Sequence, residues 1–318
     1  MWVLESLPKA NGPQRLVALF GLGLIGSACL KWLRSMEDWE ELEIPFSWTP
    51  YSSEDETRLL EVLRRRVAVI MRSTNSSSPV KISFVWCAGR CGFGATEAEV
   101  EGELANFSRV VSLAENVIHL LPACLVDLTL VSSAGGLFEG TRLVTPNTSP
   151  NPLRPYGQLK LDQERALLGS DSNLGKTILR PSSVFGPVTR SGRLGVIPVF
   201  IRNGLRRSVS TIAGTMTTER DYVHVDDVGR YIAMTILAET GRTKDRTEFL
   251  VSAKPTTILE ICRLVEHVLA RKLFVHFDPN AGNSRDITFG PECRPQHPWR
   301  TEDLSTAIRH IYRQHVGC

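Results

Sequence analysis

A parallel β-sheet covered by helices on both faces, followed by a second and smaller lobe, is the fold class this 318-residue sequence predicts. Two observations carry that expectation. Apolar, β-like runs alternate with helical patterns over more than a hundred residues, and a glycine-punctuated turn joins the first such run to the first helix. Residues 16–20, Leu-Val-Ala-Leu-Phe, read as a strand, and residues 27–34 have the apolar spacing of a helix. Residues 42–48 read as a second strand, and residues 54–71 carry apolar side chains near 59, 60, 63, 67 and 70, a helical period. The Ser/Asn/Pro-rich stretch 73–79 reads as a loop. A buried strand is expected at 82–86, a long helix at 96–118 and a strand rich in β-branched residues at 125–132. Beyond about residue 186 the elements shorten and Gly, Arg and Thr become more frequent.

Composition excludes several classes. With 42% hydrophobic and 22% charged residues the chain is an ordinary folded protein. The formal net charge of +3, from 37 basic and 34 acidic residues, gives no footprint for nucleic acid. The longest apolar stretch, residues 16–30, is broken by Gly21, Gly23, Gly26 and Ser27 and is shorter than the roughly 20 residues a membrane helix requires. The first residues have no basic segment or cleavage site, so a cytoplasmic protein is expected. Seven cysteines, an odd number set mostly in apolar segments, read as free thiols. Cys293, His297, His310, His315 and Cys318 match no standard zinc spacing, and no metal is expected. His224, in the alternating run Tyr222-Val-His-Val, reads as a packed structural residue.

Three clusters carry chemistry. Gly21-Leu-Gly23-Leu24-Ile25-Gly26 follows a strand and opens a helix, where glycines let a pyrophosphate approach a helix N-terminus. In such units the second strand often ends on an acid that holds the ribose hydroxyls of NAD. Residues 45–49 contain none, which leaves NADP open, with Ser47 as a candidate contact. Tyr156 and Lys160 are one helical turn apart and share a face, so an ammonium can stabilise a phenolate acting as general acid and base on a hydroxyl. Ser132 and Ser133 stand at the C-terminal end of a strand, where doubly wound sheets bind ligands.

The order of these clusters, continued by Arg180-Pro-Ser-Ser183-Val-Phe-Gly-Pro187 and Arg220-Asp-Tyr-Val-His-Val-Asp-Asp227, resembles the extended short-chain dehydrogenase/reductases. Within them it is most similar to the NAD-dependent epimerase/dehydratase group that acts on nucleotide sugars. The resemblance implies a Rossmann-type dinucleotide-binding domain over 1–185, with a returning segment near 220–251, and a substrate-binding lobe over 186–318. It implies that Tyr156 is the acid/base, that Lys160 tunes it and holds the nicotinamide ribose, and that Ser133, or alternatively Ser132, binds the reacting hydroxyl. Gly21, Gly23, Leu24, Ile25, Gly26, Ser47, Ala88 and Gly89 would contact the dinucleotide, NAD or alternatively NADP. Ser183, Arg220 and Arg285 would contact the nucleotide sugar, the arginines through its diphosphate. A homodimer through the helices at 96–118 and 153–168 is likewise implied. Ala134 and Gly135 replace the acid pair of the group's dehydratases, which disfavours dehydration. The expected activity is nucleotide-sugar epimerisation by transient hydride transfer. An NADPH-dependent keto-sugar reductase and a non-catalytic dinucleotide sensor are the alternatives.

Overall fold

The structure, a computed structural model, describes residues 1–7, 14–46, 52–73, 79–187, 195–238, 245–278, 285–295 and 299–316. In chain order its first half contains β1 (Trp2–Ser6), β2 (Arg15–Phe20), α1 (Leu24–Met36), β3 (Trp39–Glu43), α2 (Ser53–Ser73), β4 (Lys81–Trp86), α3 (Glu97–Leu120), β5 (Leu125–Val131), α4 (Ala134–Leu137), α5 (Pro155–Leu168) and β6 (Gly175–Pro181). There follow β7 (Ser183–Phe185), α6 (Val196–Arg206), β8 (Val209–Ala213), β9 (Glu219–Arg220), β10 (Tyr222–His224), α7 (Val225–Leu237), β11 (Arg246–Leu250), β12 (Thr256–Thr257), α8 (Ile258–Leu269), β13 (Phe274–Asp278) and α9 (Leu304–Val316). The chain divides into two compact units, Met1–Ser132 with Arg154–Leu179 and Ile232–Thr247, and Ser133–Leu153 with Arg180–Tyr231 and Glu248–Cys318.

A seven-stranded sheet of order β11-β6-β5-β4-β2-β1-β3 organises the first unit. Strands β2, β4, β5 and β6 are mutually parallel. Every residue of β2 and of β4 is buried, as expected of parallel strands covered on both faces. One face sends Leu16, Ala18, Phe20, Ile82, Phe84, Trp86, Leu128 and Leu130 into a core closed by Leu59, Leu63, Val67 and Ile70 of α2 and by Phe107, Val110 and Ala114 of α3. The other face buries Val17, Leu19 and Val85, and α1 packs against β2.

Two features at one edge depart from the sequence expectation. Strand β1 is antiparallel to both β2 and β3 and lies between them. The strand expected at 42–48 forms earlier, as Trp39-Glu-Glu-Leu-Glu43, so it does end on an acid, Glu43. Its acidity hid it from a hydrophobicity pattern. The charges are paired instead: Arg34 grips Glu41 through contacts of 2.6 and 2.5 Å, and Arg66 reaches Glu40 at 2.7 Å and Glu5 of β1 at 3.2 Å.

Cations gather at the N-terminal ends of the parallel strands. Arg15 donates to the Leu237 carbonyl at 2.9 Å and Lys81 to the Ile236 carbonyl at 3.1 Å, both at the C-terminus of α7. Lys176 donates to the carbonyls of Leu168 and Ser170 where α5 ends, at 3.1 and 3.0 Å. Each cation meets the negative end of a helix dipole. No described helix is long and apolar enough to cross a membrane.

In the second unit α6, α8 and α9 close a separate core around Phe200, Ile201, Ile261, Val265, Ile308 and Ile311. Helix α8 starts in a reciprocal capping box, in which the Thr257 hydroxyl accepts the Glu260 N–H at 3.1 Å and Glu260 accepts the Thr257 N–H at 2.7 Å. The Thr257 N–H, and then its hydroxyl, hold the Glu260 carboxyl below the usual range. Thr257→Ala is expected to cost about 1 kcal/mol in denaturant unfolding. Because the folded-state value is depressed, the Glu260 contribution is present at neutral pH and fades as pH falls through it. The stability difference between wild type and Glu260→Gln should therefore shrink below about pH 4.

Candidate functional site

The turn leaving β2 is shaped by contacts only glycine permits. Gly21 has φ +87°, and a Cβ there would lie 2.4 Å from the Ala88 Cα and N. A Cβ on Gly26 would lie 1.8 Å from the Gly21 carbonyl oxygen. Gly23 differs: it is the N-cap of α1, no side chain caps it, the first turn holds no acid, and a Cβ there would meet nothing within 4 Å. The Gly23, Leu24, Ile25 and Gly26 segment therefore forms a helix N-terminus with open space before it, the setting that receives a phosphate. This donor set fits a dinucleotide pyrophosphate. Ser47 lies outside the described residues.

The strand beside this turn, β4, ends at Trp86, and the Cys87 N–H donates to the Phe20 carbonyl at 2.8 Å. Ala88 and Gly89 follow, with Gly89 at φ +147°. Beneath them lies Glu103 of α3, 8% exposed, whose one oxygen accepts the N–H groups of Arg90 and Cys91 at 2.8 and 3.0 Å. Burial pushes the Cys87 thiol up to about 12. Burial, then the Glu103 charge, do the same for Cys91, so both thiols stay protonated.

Helix α5 starts with Pro155 at its first position. It places Tyr156 and Lys160 side by side, with the Lys160 Nζ 5.8 Å from the centre of the Tyr156 ring. Lys160 is buried, donates to the side-chain Oε1 of Gln163 at 3.0 Å and stands 3.5 Å from Glu103 Oε1. The half-exposed Tyr156 ring leans on Phe93 at 5.8 Å, and the Arg154 guanidinium lies over Phe93 at 5.4 Å. At the end of β5 the buried Ser132 hydroxyl donates to Glu164 Oε1 at 2.6 Å. These residues all belong to the first unit.

The second unit carries the remaining candidates. Ser133 is the N-cap of α4, its hydroxyl oxygen accepting the Gly136 N–H at 3.1 Å. It is half-buried, and its own hydroxyl proton stays available for donation. Ser183 opens β7, and its N–H donates to the Asp221 carbonyl at 3.0 Å. Arg220 is buried on β9, opposite Thr256 of β12. Arg285 is exposed, with its Cδ near Gly140, and its neighbour Asp286 is held by Arg142 and by the Glu219 N–H at 2.8 Å. His224 packs on Phe185 at 5.4 Å, and the Cys293 thiol lies 3.1 Å from the Val144 carbonyl.

Sequence reasoning missed Glu103, Glu164 and Asp221. Asp221 is the hub of the second unit, accepting from the Ser182 hydroxyl at 2.5 Å, the Ser252 N–H and hydroxyl at 2.9 and 2.6 Å, and the Lys254 N–H at 3.2 Å. Burial raises its carboxyl above the usual range even though these donors pull it down. The spacing from Tyr156 through Lys160 to Glu164, four residues each, was the available signal for Glu164.

With the geometry in view, comparison places the chain among known proteins. Residues 80–248, more than half of it, match the model of the NAD dependent epimerase/dehydratase family, and the chain belongs to that family. Over 204 residues it is 26% identical to a putative UDP-glucose 4-epimerase of Methanocaldococcus jannaschii, covering 62% of this chain and 65% of that one. It is 30% identical over 197 residues to rice UDP-glucose 4-epimerase 4, covering 54% and 52% respectively. The chain thus spans between half and two thirds of the length of these curated relatives. The fold is that of Thermus thermophilus UDP-glucose 4-epimerase, solved in complex with NAD, with a TM-score of 0.70 at 20% identity over 96% of this chain and 99% of that one.

Two expectations follow for the glycine turn and the Asp221 hub. Gly23→Ala, which meets no clash, should fold with a loss of no more than about 1 kcal/mol at the helix cap yet bind dinucleotide more weakly, whereas Gly26→Ala should lower stability by about 1–3 kcal/mol through overpacking. Calorimetric titration and thermal melts separate the two. Asp221→Asn turns an amide N–H2 toward donors and should cost roughly 2 kcal/mol, measured by denaturant unfolding.

Proposed function

We propose that the protein epimerises a nucleotide-linked sugar with NAD as the transient carrier. The observation that carries the reading is the joint presence, in one compact unit, of an uncapped glycine helix start and of Tyr156 beside Lys160 on α5. Gly21, Gly23, Leu24, Ile25 and Gly26 would hold the pyrophosphate of the dinucleotide, Ala88 and Gly89 would lie along it, and Lys160 would hold the nicotinamide ribose. When bound, NAD supplies a reversible hydride acceptor for the sugar carbon. Tyr156, beside the Lys160 ammonium, would take the proton of the hydroxyl on that carbon and later return it. Ser133 is favoured over Ser132 for holding that hydroxyl, because the Ser132 proton is already committed to Glu164. Arg220 and Arg285 would take the diphosphate of the sugar nucleotide through bidentate pairs, and Ser183 would add a hydroxyl contact. The family match and the names of the relatives support this assignment.

One observation favours a second reading, an NADPH-dependent keto-sugar reductase. The strand directly beside β2 is β1, which brings Trp2 opposite Leu19 rather than an acid, and Glu43 stands one strand further out. A ribose phosphate would meet no carboxylate from β1 there.

Denaturing the purified protein and weighing the released dinucleotide separates the two: NAD released, with UDP-sugar interconversion that needs no added cofactor, is the expected result. NADP, or stoichiometric consumption of NADPH, would establish the reductase. Tyr156→Phe should retain dinucleotide and lose about a hundredfold to ten-thousandfold in kcat. Full activity in that variant would remove Tyr156 from the mechanism.

A further inference from the structure

Glu103 is a carboxylate buried at 8% exposure in a helix whose other inward residues, Phe107, Val110, Val111 and Ala114, are apolar. Such a group is retained only where it is paired and hydrogen-bonded. Its two oxygens are used differently. Oε2 accepts the N–H groups of Arg90 and Cys91, which fastens the turn after β4. Oε1 faces the Lys160 ammonium at 3.5 Å. Gly89 follows from this arrangement, because a Cβ on it would lie 2.6 Å from Glu103 Oε1.

Lys160 has three N–H donors. One goes to Gln163 at 3.0 Å and a second points toward Glu103, so the ammonium is held from two sides with one donor left over. An amide in place of Glu103 could still accept the two backbone N–H groups. What an amide lacks is the negative charge opposite Lys160.

We propose that Glu103 is a positioning residue of the dinucleotide site, acting through Lys160. It joins the turn carrying Ala88 and Gly89 to the ammonium on α5 and directs the remaining Lys160 donor at the dinucleotide ribose. This rests on the proposed role of Lys160 as a ribose contact.

The test is a double-mutant cycle on NAD+ affinity, measured by titration calorimetry without sugar substrate, in wild type, Glu103→Gln, Lys160→Met and the double variant. Glu103→Gln is expected to weaken NAD+ binding about five- to tenfold, and in the Lys160→Met background to have no further effect. Losses that multiply, or unchanged affinity in folded Glu103→Gln, would overturn the proposal and leave Glu103 a structural counter-charge. Should Glu103→Gln fail to fold because it strands a buried ammonium, the double variant, which removes both charges, serves instead. NAD+ affinity equal to that of Lys160→Met supports the proposal, and a further loss overturns it. Failure of wild type to bind NAD+ at all would instead sink the dinucleotide reading, before any variant is compared.

Discussion

The contact between Gly21 and Ala88 is the constraint from which the rest of the site follows. Because a Cβ at Gly21 would sit 2.4 Å from the Ala88 backbone, the chain leaving β2 runs hard against the end of β4. Gly26 lets the first turn of α1 close over the Gly21 carbonyl. Together they set the N-terminus of α1 just beyond the C-terminal end of β2, and a Cβ on Gly23 would meet nothing within 4 Å. The partial positive charge of that terminus is met by no acid of its first turn.

The two ends of the sheet are held in different ways. At the N-terminal ends of the strands, Arg15, Lys81 and Lys176 are spent on helix C-termini. At the C-terminal ends stand the uncapped start of α1, Ser132, and the α5 face bearing Tyr156, Lys160 and Glu164. In this second set Lys160 is paired with the buried Glu103 at 3.5 Å and Ser132 is hydrogen-bonded to Glu164 at 2.6 Å, and breaking one partner of a buried ion pair costs more than the pair itself contributes. That asymmetry gives Glu103 and Lys160 a fixed geometry where a pair of exposed charges would have none.

Much of the first unit was legible in the residues. The continuous apolar runs of β2 and β4 need two covered faces, and α2 and α3 carry the helical period that covers one of them. The four-residue spacing of Tyr156 and Lys160 required only a helix to become an adjacency. Strand β1 and the true position of β3 were not legible, since an edge strand written Trp-Glu-Glu-Leu-Glu depends on Arg34 and Arg66, which come from other elements. Asp221 and Glu103 were hidden for a related reason: a lone acid in a sequence reads as surface until the donors around it are seen.

Local patterns by themselves therefore determined the alternation of strand and helix, the glycine turn, the Tyr156 and Lys160 pair and the family. Periodicity and spacing report what a residue meets within one or two turns of its own chain. The insertion of β1 between β2 and β3, the sealing of Ser132 by Glu164, and the fastening of Lys160 by Glu103 were decided by tertiary structure alone. Each joins groups remote in sequence whose pairing is settled by burial and charge rather than by any local preference.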